Sequence, residues 1–273
     1  FKAVTSNAAE VLALENYGSL ERGQVMAPAI ELAETGFVVG EDLHHSLRAY
    51  AKDFRADPAA RKIFLTPAGE PWPVGARLVQ KDLARSLRLL AKHGPDAFYL
   101  GALATAIAKD MKAHGGLITR EDLAAYRPVE RQPVTGRYRA WKVVSMPPPS
   151  SGGIHLIQML NVLEHFPIGD YGHNSADAIH ITAEAMRRAY ADRSRYLGDP
   201  DFVKVPVRKL VSKDYGRRLA GKIDCKRATP SREVAPGLGP PDRIESNETT
   251  HFSVIDRLGN AVSNTYTLNF SYG

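Results

Sequence analysis

The stretch that constrains this chain most lies near its end. Residues 249–256, Thr-Thr-His-Phe-Ser-Val-Ile-Asp, alternate as a strand does, and residues 260–268 alternate again. Between them stand Arg257, Leu258 and Gly259. A three-residue loop with glycine last is the sequence of a type I turn closed by a glycine bulge. That loop sets a register in which Asp256 faces Asn260. Thr249 then lies opposite Thr267, with Asn269 diagonal to it and within side-chain reach. A slip of one residue would send every side chain to the other face, so the register is an expectation for the structure to test.

A threonine in that place has a chemical use. A hydroxyl is a weak nucleophile and needs an adjacent base. A threonine at a new N-terminus carries its own base, because a free α-amino group titrates at about 7.7–8.0. Residues 226–247 are rich in Pro, Gly and charge and read as an exposed linker running up to the strand. A strand that opens at threonine straight after a linker suits a chain that cuts itself between Glu248 and Thr249. An ordinary threonine-rich hairpin would show the same pattern.

The rest of the chain reads as mixed helix and strand. Asn7 and Glu10 form a candidate capping box before Val11, and Gly18 ends that helix. Helical periodicity follows through 25–33 and 43–51; residues 55–77, with four prolines, read as a loop. Further helices are expected at 80–92 and 96–113, then strands at 129–134 and 138–146 about a turn at Thr135-Gly136. An apolar helix spans 154–166, and a long one runs from Ser175 to about Leu197.

Composition removes some classes. No run of 18 apolar residues is present to span a membrane, and the single Cys225 excludes an internal disulfide framework. Residues 185–232 hold fourteen Lys/Arg against five Asp/Glu, but the two signs interleave and no aromatic stacking pattern accompanies them. They read as a solvated helical face, and no nucleic-acid partner is expected. The run 216–222 has the glycine and lysine spacing of a phosphate loop, yet Ile223 stands where its hydroxyl belongs. His180 and Glu184, four apart, read as a polar pair on a surface helix, and no metal site is expected. At Pro147–Gly153 two readings stay open. The backbone N–H groups of residues 150–153 could hold an anion, or a serine there could cap the helix while the glycines permit close packing.

Several stretches together resemble the γ-glutamyltranspeptidase family of N-terminal nucleophile hydrolases. They are Met146-Pro-Pro-Pro-Ser-Ser-Gly-Gly-Ile-His155, the Tyr190–Pro206 run with Ala-Asp-Arg-Ser-Arg-Tyr-Leu-Gly-Asp-Pro, and Glu245-Ser-Asn-Glu-Thr-Thr-His-Phe-Ser-Val-Ile-Asp256. Residues 115–126 and Thr265-Tyr-Thr-Leu-Asn269 also fit. The resemblance implies an α+β fold, a four-layer αββα sandwich that this chain covers only in part. It implies one precursor that cleaves itself into two subunits. Residues 1–248 would be the later part of the large subunit, with a helical region 1–128, a strand and helix region 129–225 and the linker 226–248. Residues 249–273 would start the small subunit.

By the same resemblance Thr249 is the nucleophile, Thr267 its hydroxyl partner, and Asn269 a holder of the substrate's α-amino group. The substrate is a γ-glutamyl amide such as glutathione; the acceptor is water, an amino acid or a peptide; no cofactor or metal is needed. The location implied is periplasmic or extracellular. The family's arginine for the substrate α-carboxylate falls before Phe1. Its oxyanion-hole glycines, serine pair and acidic pocket residue fall after Gly273, so Ser150 and Ser151 are not that pair. Both ends of the chain look cut. The span alone is therefore expected to be inactive and the intact precursor active. Two rivals remain: an amidase of the same fold resembling cephalosporin acylase, and a non-catalytic homologue that binds without cleaving.

Overall fold

A computed structural model describes residues 2–237, 250–266 and 272. The chain divides into two units, one of residues 1–129 with 248–273 and the other of residues 130–247. Both helices and strands are present, and among the described residues each sheet is a single antiparallel pair.

The first unit is mostly helical. Its elements are α1 (Lys2–Tyr17), α2 (Arg22–Thr35), β1 (Phe37–Val38), α3 (Glu41–Ala49), α4 (Ala51–Ala56), α5 (Pro58–Phe64), β2 (Arg77–Leu78), α6 (Lys81–His93), α7 (Pro95–Tyr99), α8 (Ala102–Ala113) and α9 (Arg120–Ala125). Helix α1 begins at Lys2, so Asn7 lies inside it and is not its cap. The proline-rich stretch 55–77 is not all loop, because α5 forms within it. Pro58 occupies the first helical turn, where its missing N–H costs nothing, and Asp57 accepts the Ala60 N–H at 2.7 Å. The helix expected at 96–113 breaks in two at Leu100 and Gly101. Both carbonyls there are taken by the Arg120 guanidinium, at 2.9 Å each.

Two separate cores hold this unit. Val39, Leu47, Ala51, Phe54, Leu65 and Leu78 form one; Ala8, Tyr99, Ala104 and Leu123 form the other. Tyr272 returns the chain end to the first of these. Its ring meets Tyr50, Phe54 and Phe64, and its hydroxyl bonds Ser46 Oγ at 2.7 Å.

The second unit contains β3 (Val134–Tyr138), β4 (Trp141–Ser145), α10 (Gly152–Leu163), α11 (Ala176–Tyr196), α12 (Val207–Leu210) and α13 (Lys213–Ala220), followed by a 3-10 turn at Ser231–Glu233. The β3–β4 turn is at Arg139-Ala140, not at Thr135-Gly136; both of those residues lie inside β3 and face Val144 and Val143. Gly136 is there for packing. A Cβ on it would come within 2.6 Å of Ile157 Cγ2. Helix α10 is buried on most of its surface, and Ile154, Ile157 and Val162 meet Val134, Ala185, Leu210, Tyr215 and Leu219. The run 216–222 belongs mostly to α13, where Gly216 lets the helix pack against the Asn161 backbone.

Helix α11 carries two carboxylates with no solvent exposure, Glu184 and Asp192. Glu184 is thus a core residue and not half of a surface pair; His180 instead meets the Asp224 carbonyl at 2.8 Å. Glu184 is ion-paired with Arg187 and Arg188 and accepts both the Thr229 N–H (2.9 Å) and its hydroxyl (2.7 Å). Burial by itself would raise the Glu184 carboxyl, but the bonds from Thr229 and Arg188 outweigh it and hold the pKa at about 2. Asp192 accepts Gln158 Nε2 at 2.5 Å, the Tyr215 hydroxyl at 2.6 Å and the Gly237 N–H at 2.7 Å. Burial first, and then this bond, push the Tyr215 hydroxyl upward.

Two outcomes follow for the full-length protein. Ile157→Ala removes a side chain 1% exposed at the centre of the second unit, and is expected to cost about 2–5 kcal/mol in urea unfolding. Glu184 has its pKa lowered from 4.5 to about 2, so its stabilisation is present above pH 4.5 and is lost as pH falls toward 2. Unfolding free energy measured across that window should fall for the wild type and stay flatter for Glu184→Gln.

Candidate functional site

The hairpin expected at the end of the chain is formed by β5 (Thr250–Ile255) and β6 (Ala261–Tyr266). Six facing pairs run from Thr250↔Tyr266 to Ile255↔Ala261, in the register the loop sequence implied. The Gly259 N–H donates to the Asp256 carbonyl at 3.1 Å and the Asp256 N–H to the Asn260 carbonyl at 3.0 Å. Gly259 sits at φ +84°, a conformation that favours glycine. The Asp256 carboxylate locks the turn, accepting Leu258 N–H at 2.8 Å, Asn260 N–H at 2.9 Å and Asn260 Nδ2 at 2.8 Å. The Asn260 side-chain bond is the main cause that holds its carboxyl below the usual range.

The two faces of the hairpin differ. Ser253 faces Ser263 on one, while Val254 faces Val262 on the other. Phe252, Val254 and Val262 are exposed. Glu248, Thr249, Thr267 and Asn269, the residues to which the sequence assigned the chemistry, lie outside the described residues. Thr250 and Tyr266 are the facing pair nearest to them.

Upstream, the segment that leads to Thr249 is held on α11 by Glu184 at Thr229 and by Asp192 at Gly237. Sequence reading missed both contacts. A signal for them was present: Glu184, Arg188 and Asp192 recur every four residues, on the helix side that also buries Ile181, Ala185 and Ala189. The network continues inward. His155 Nδ1 meets Gln158 Oε1 at 2.7 Å, and the amide so oriented donates to Asp192. His155 then donates from Nδ1, and its buried Nε2 has no partner among the described residues. Burial is the main cause that lowers its pKa.

At Pro147–Gly153 the structure favours packing. Ser151 occupies the cap position of α10 without a side-chain cap bond, and its hydroxyl instead accepts Arg193 Nε at 2.7 Å. A Cβ at Gly153 would lie 2.2 Å from the Met146 carbonyl oxygen, so the glycine permits close approach of helix and strand end. Cys225 is free and exposed. Among the described residues no group of three or more His, Cys, Asp or Glu side chains could hold a metal, and no helix is long and apolar enough to cross a membrane.

The sequence profile described as Gamma-glutamyltranspeptidase matches residues 8–273. A glutathione hydrolase proenzyme of Escherichia coli K12 is 51% identical over 96% of this chain and 45% of its own length. The acylase ACY 1 proenzyme of Pseudomonas sp. strain SE83 is 44% identical over 96% of this chain and 46% of its own. The crystal structure of Helicobacter pylori γ-glutamyltranspeptidase superposes with a TM-score of 0.80 at 44% identity, covering 84% of this chain and 65% of that one. The chain thus spans a little under half the length of these curated relatives. Its α+β class is that of the N-terminal nucleophile hydrolases, as in this solved γ-glutamyltranspeptidase and in a solved cephalosporin acylase. The whole-length profile match, with this level of identity, means that the chain belongs to the γ-glutamyltranspeptidase family.

Proposed function

We propose that the protein containing these residues cleaves itself between Glu248 and Thr249 and then uses Thr249 to hydrolyse or transfer γ-glutamyl groups from glutathione and related amides. The observation that carries this reading is the register of the hairpin. The observed pairs end at Thr250↔Tyr266, and one further pair in the same register would bring Thr249 opposite Thr267. Pairs alternate along an antiparallel ladder, and Asp256 and Asn260 form a hydrogen-bonded one. On that alternation a pair formed by 249 and 267 would be a non-bonded one, the kind whose side chains approach most closely. Asn269 would then be the diagonal neighbour.

In self-cleavage the Thr249 hydroxyl adds to the Glu248 carbonyl. The C–N bond breaks, the amine takes the proton, and an ester joins Glu248 to the Thr249 oxygen. Water hydrolyses that ester, leaving a carboxylate on Glu248 and a free α-amine on Thr249. That amine then serves as base when the same hydroxyl attacks the substrate's γ-amide. Thr267 supports the hydroxyl through a hydrogen bond, and Asn269 holds the substrate's α-amino group. A γ-glutamyl ester forms, the amine product leaves, and water or an amino-acid or peptide acceptor takes the acyl group.

The chain is then the later part of a large subunit, 1–248, followed by the start of a small one, 249–273. Location in the periplasm or outside the cell goes with this reading and is checked by fractionating the producing cells. Identity of 44% to an acylase proenzyme, with a TM-score of 0.74 to a cephalosporin acylase of Bacillus halodurans, keeps a second acyl group in view, that of a cephalosporin amide. Both amides belong in the same assay.

Purified full-length precursor is expected to give two polypeptides, one with Thr249 as its first residue by N-terminal sequencing. Thr249→Ala is expected to stay whole; a wild type that also stays whole favours a non-catalytic binding protein. With a chromogenic γ-glutamyl anilide, Thr267→Ala should lower kcat by about tenfold or more through loss of a hydrogen bond to the nucleophile. Residues 1–273 alone should be inactive. Faster turnover of a cephalosporin amide than of the γ-glutamyl amide would move the acylase reading to first place.

A further inference from the structure

We infer that Tyr272 is an anchor by which the small subunit is held on the large one after self-cleavage, seated in a socket made by Ser46, Tyr50, Phe54 and Phe64. This inference rests on the cut proposed above between Glu248 and Thr249, and adds to it an interaction surface between the two chains that the cut produces.

The cut turns contacts within one chain into contacts between two. Residues 249–273 contain no cysteine, so no disulfide can tie this stretch to residues 1–248. Non-covalent contacts must hold it, and both sides of the Tyr272 socket belong to the first unit. Ser46, Tyr50 and Phe54 recur every four residues along α3 and α4, and Phe64 ends α5. The Tyr272 ring centroid lies 4.8 Å from that of Phe54, 5.0 Å from Phe64 and 5.3 Å from Tyr50, each pair edge to face. Such pairs are favourable beyond the area they bury. The Tyr272 hydroxyl donates to Ser46 Oγ at 2.7 Å. The socket therefore fits a tyrosine, with rings around the ring and an acceptor at its polar tip.

A second contact crosses the same boundary. Asn264 of β6 hydrogen-bonds the Glu10 carboxyl of α1, so the small-subunit stretch meets the helical part at two separate elements. The two contacts differ in weight. A hydrogen bond that replaces one to water contributes little net, whereas a tyrosine packed among aromatic rings is the kind of residue that carries most of the energy of an interface. The socket is also built before Tyr272 arrives. Phe54 is 4% exposed and packs with Val39, Leu47, Ala51, Leu65 and Leu78, all of them large-subunit residues. A surface already packed from its own side loses little freedom when it is occupied.

The test uses the full-length enzyme after it has cut itself, held in urea below its unfolding transition, and follows separation of the two chains by size-exclusion chromatography. Variants are Tyr272→Ala, Tyr272→Phe, Ser46→Ala, and Val39→Ala, which weakens the same core from within the large subunit. Unfolding midpoints are measured for the same set in an uncuttable Thr249→Ala background. Tyr272→Ala is expected to separate at least about tenfold faster than wild type, a factor that one good aromatic pair supplies. Tyr272→Phe and Ser46→Ala lose only the hydroxyl bond and should separate more slowly than Tyr272→Ala. Val39→Ala should lower the unfolding midpoint and leave separation close to the wild-type rate. With 4-azidophenylalanine at position 272, light should join the two chains of the mature enzyme through residues 46–64; this arm truncates no side chain and so does not depend on how Tyr272→Ala folds. A smaller effect in Tyr272→Ala overturns the proposal. So do separation rates that track the unfolding midpoints across the set, Val39→Ala included, since these assign the contact to stability alone, and so does a cross-link that falls outside residues 46–64. A wild-type precursor that stays whole leaves no second chain to hold and overturns the anchor together with the self-cleavage reading, whereas a wild type that cuts, with chains that separate alike in every variant, removes the anchor alone.

Discussion

A carboxylate without water around it has to find its hydrogen bonds in the protein, and Asp192 shows what that requirement organises. Its three donors come from three different stretches: Gln158 on α10, Tyr215 on α13, and the backbone of Gly237. None of these is near Asp192 in sequence, so the bonds exist only when α10, α11 and α13 are packed together. The apolar contacts of Ile154, Ile157, Ala185, Tyr215 and Leu219 supply the driving force for that packing. The polar contacts select one arrangement of it, because any other would leave a charged group buried and unsatisfied. Glu184 repeats the logic one helical stretch earlier with Arg188 and Thr229.

The hairpin solves a different problem with local means. Its register comes from one loop: glycine at positive φ, an aspartate that caps three donors, and the alternation on either side. Nothing distant is needed to specify which residues face each other. Glycines elsewhere are matters of contact instead. Gly136 looks like a turn residue in the sequence, yet it and Gly153 are both placed where a Cβ would strike α10 or the end of β4.

The sequence was most legible where structure is decided within a few residues. The long helix from Ser175, the apolar helix after the proline run and the hairpin register all emerge from periodicity and turn chemistry, and the structure has each of them. Family membership was legible as well, through motifs spread from residue 115 to residue 269, and the profile match over residues 8–273 agrees. Misreadings fell where a residue's role depends on what folds against it. Asn7 could not reveal that the helix extends back to Lys2. The break in the helix at Gly101 depends on Arg120, well along the chain. Glu184, spaced four residues from a histidine, looked like a surface partner of His180 and instead belongs to the core.

What the sequence determined by itself, then, is the family, the order of most elements and the pairing of the hairpin that leads to Thr249. These depend on short-range geometry, which a linear pattern carries: the period of a helix, the period of a strand, and the backbone angles a turn glycine allows. Only the tertiary structure decided which charges are buried and what they hold. Burial is a property of the packed chain, and Glu184 and Asp192 take up Thr229 and Gly237 because three helices first exclude water from around them.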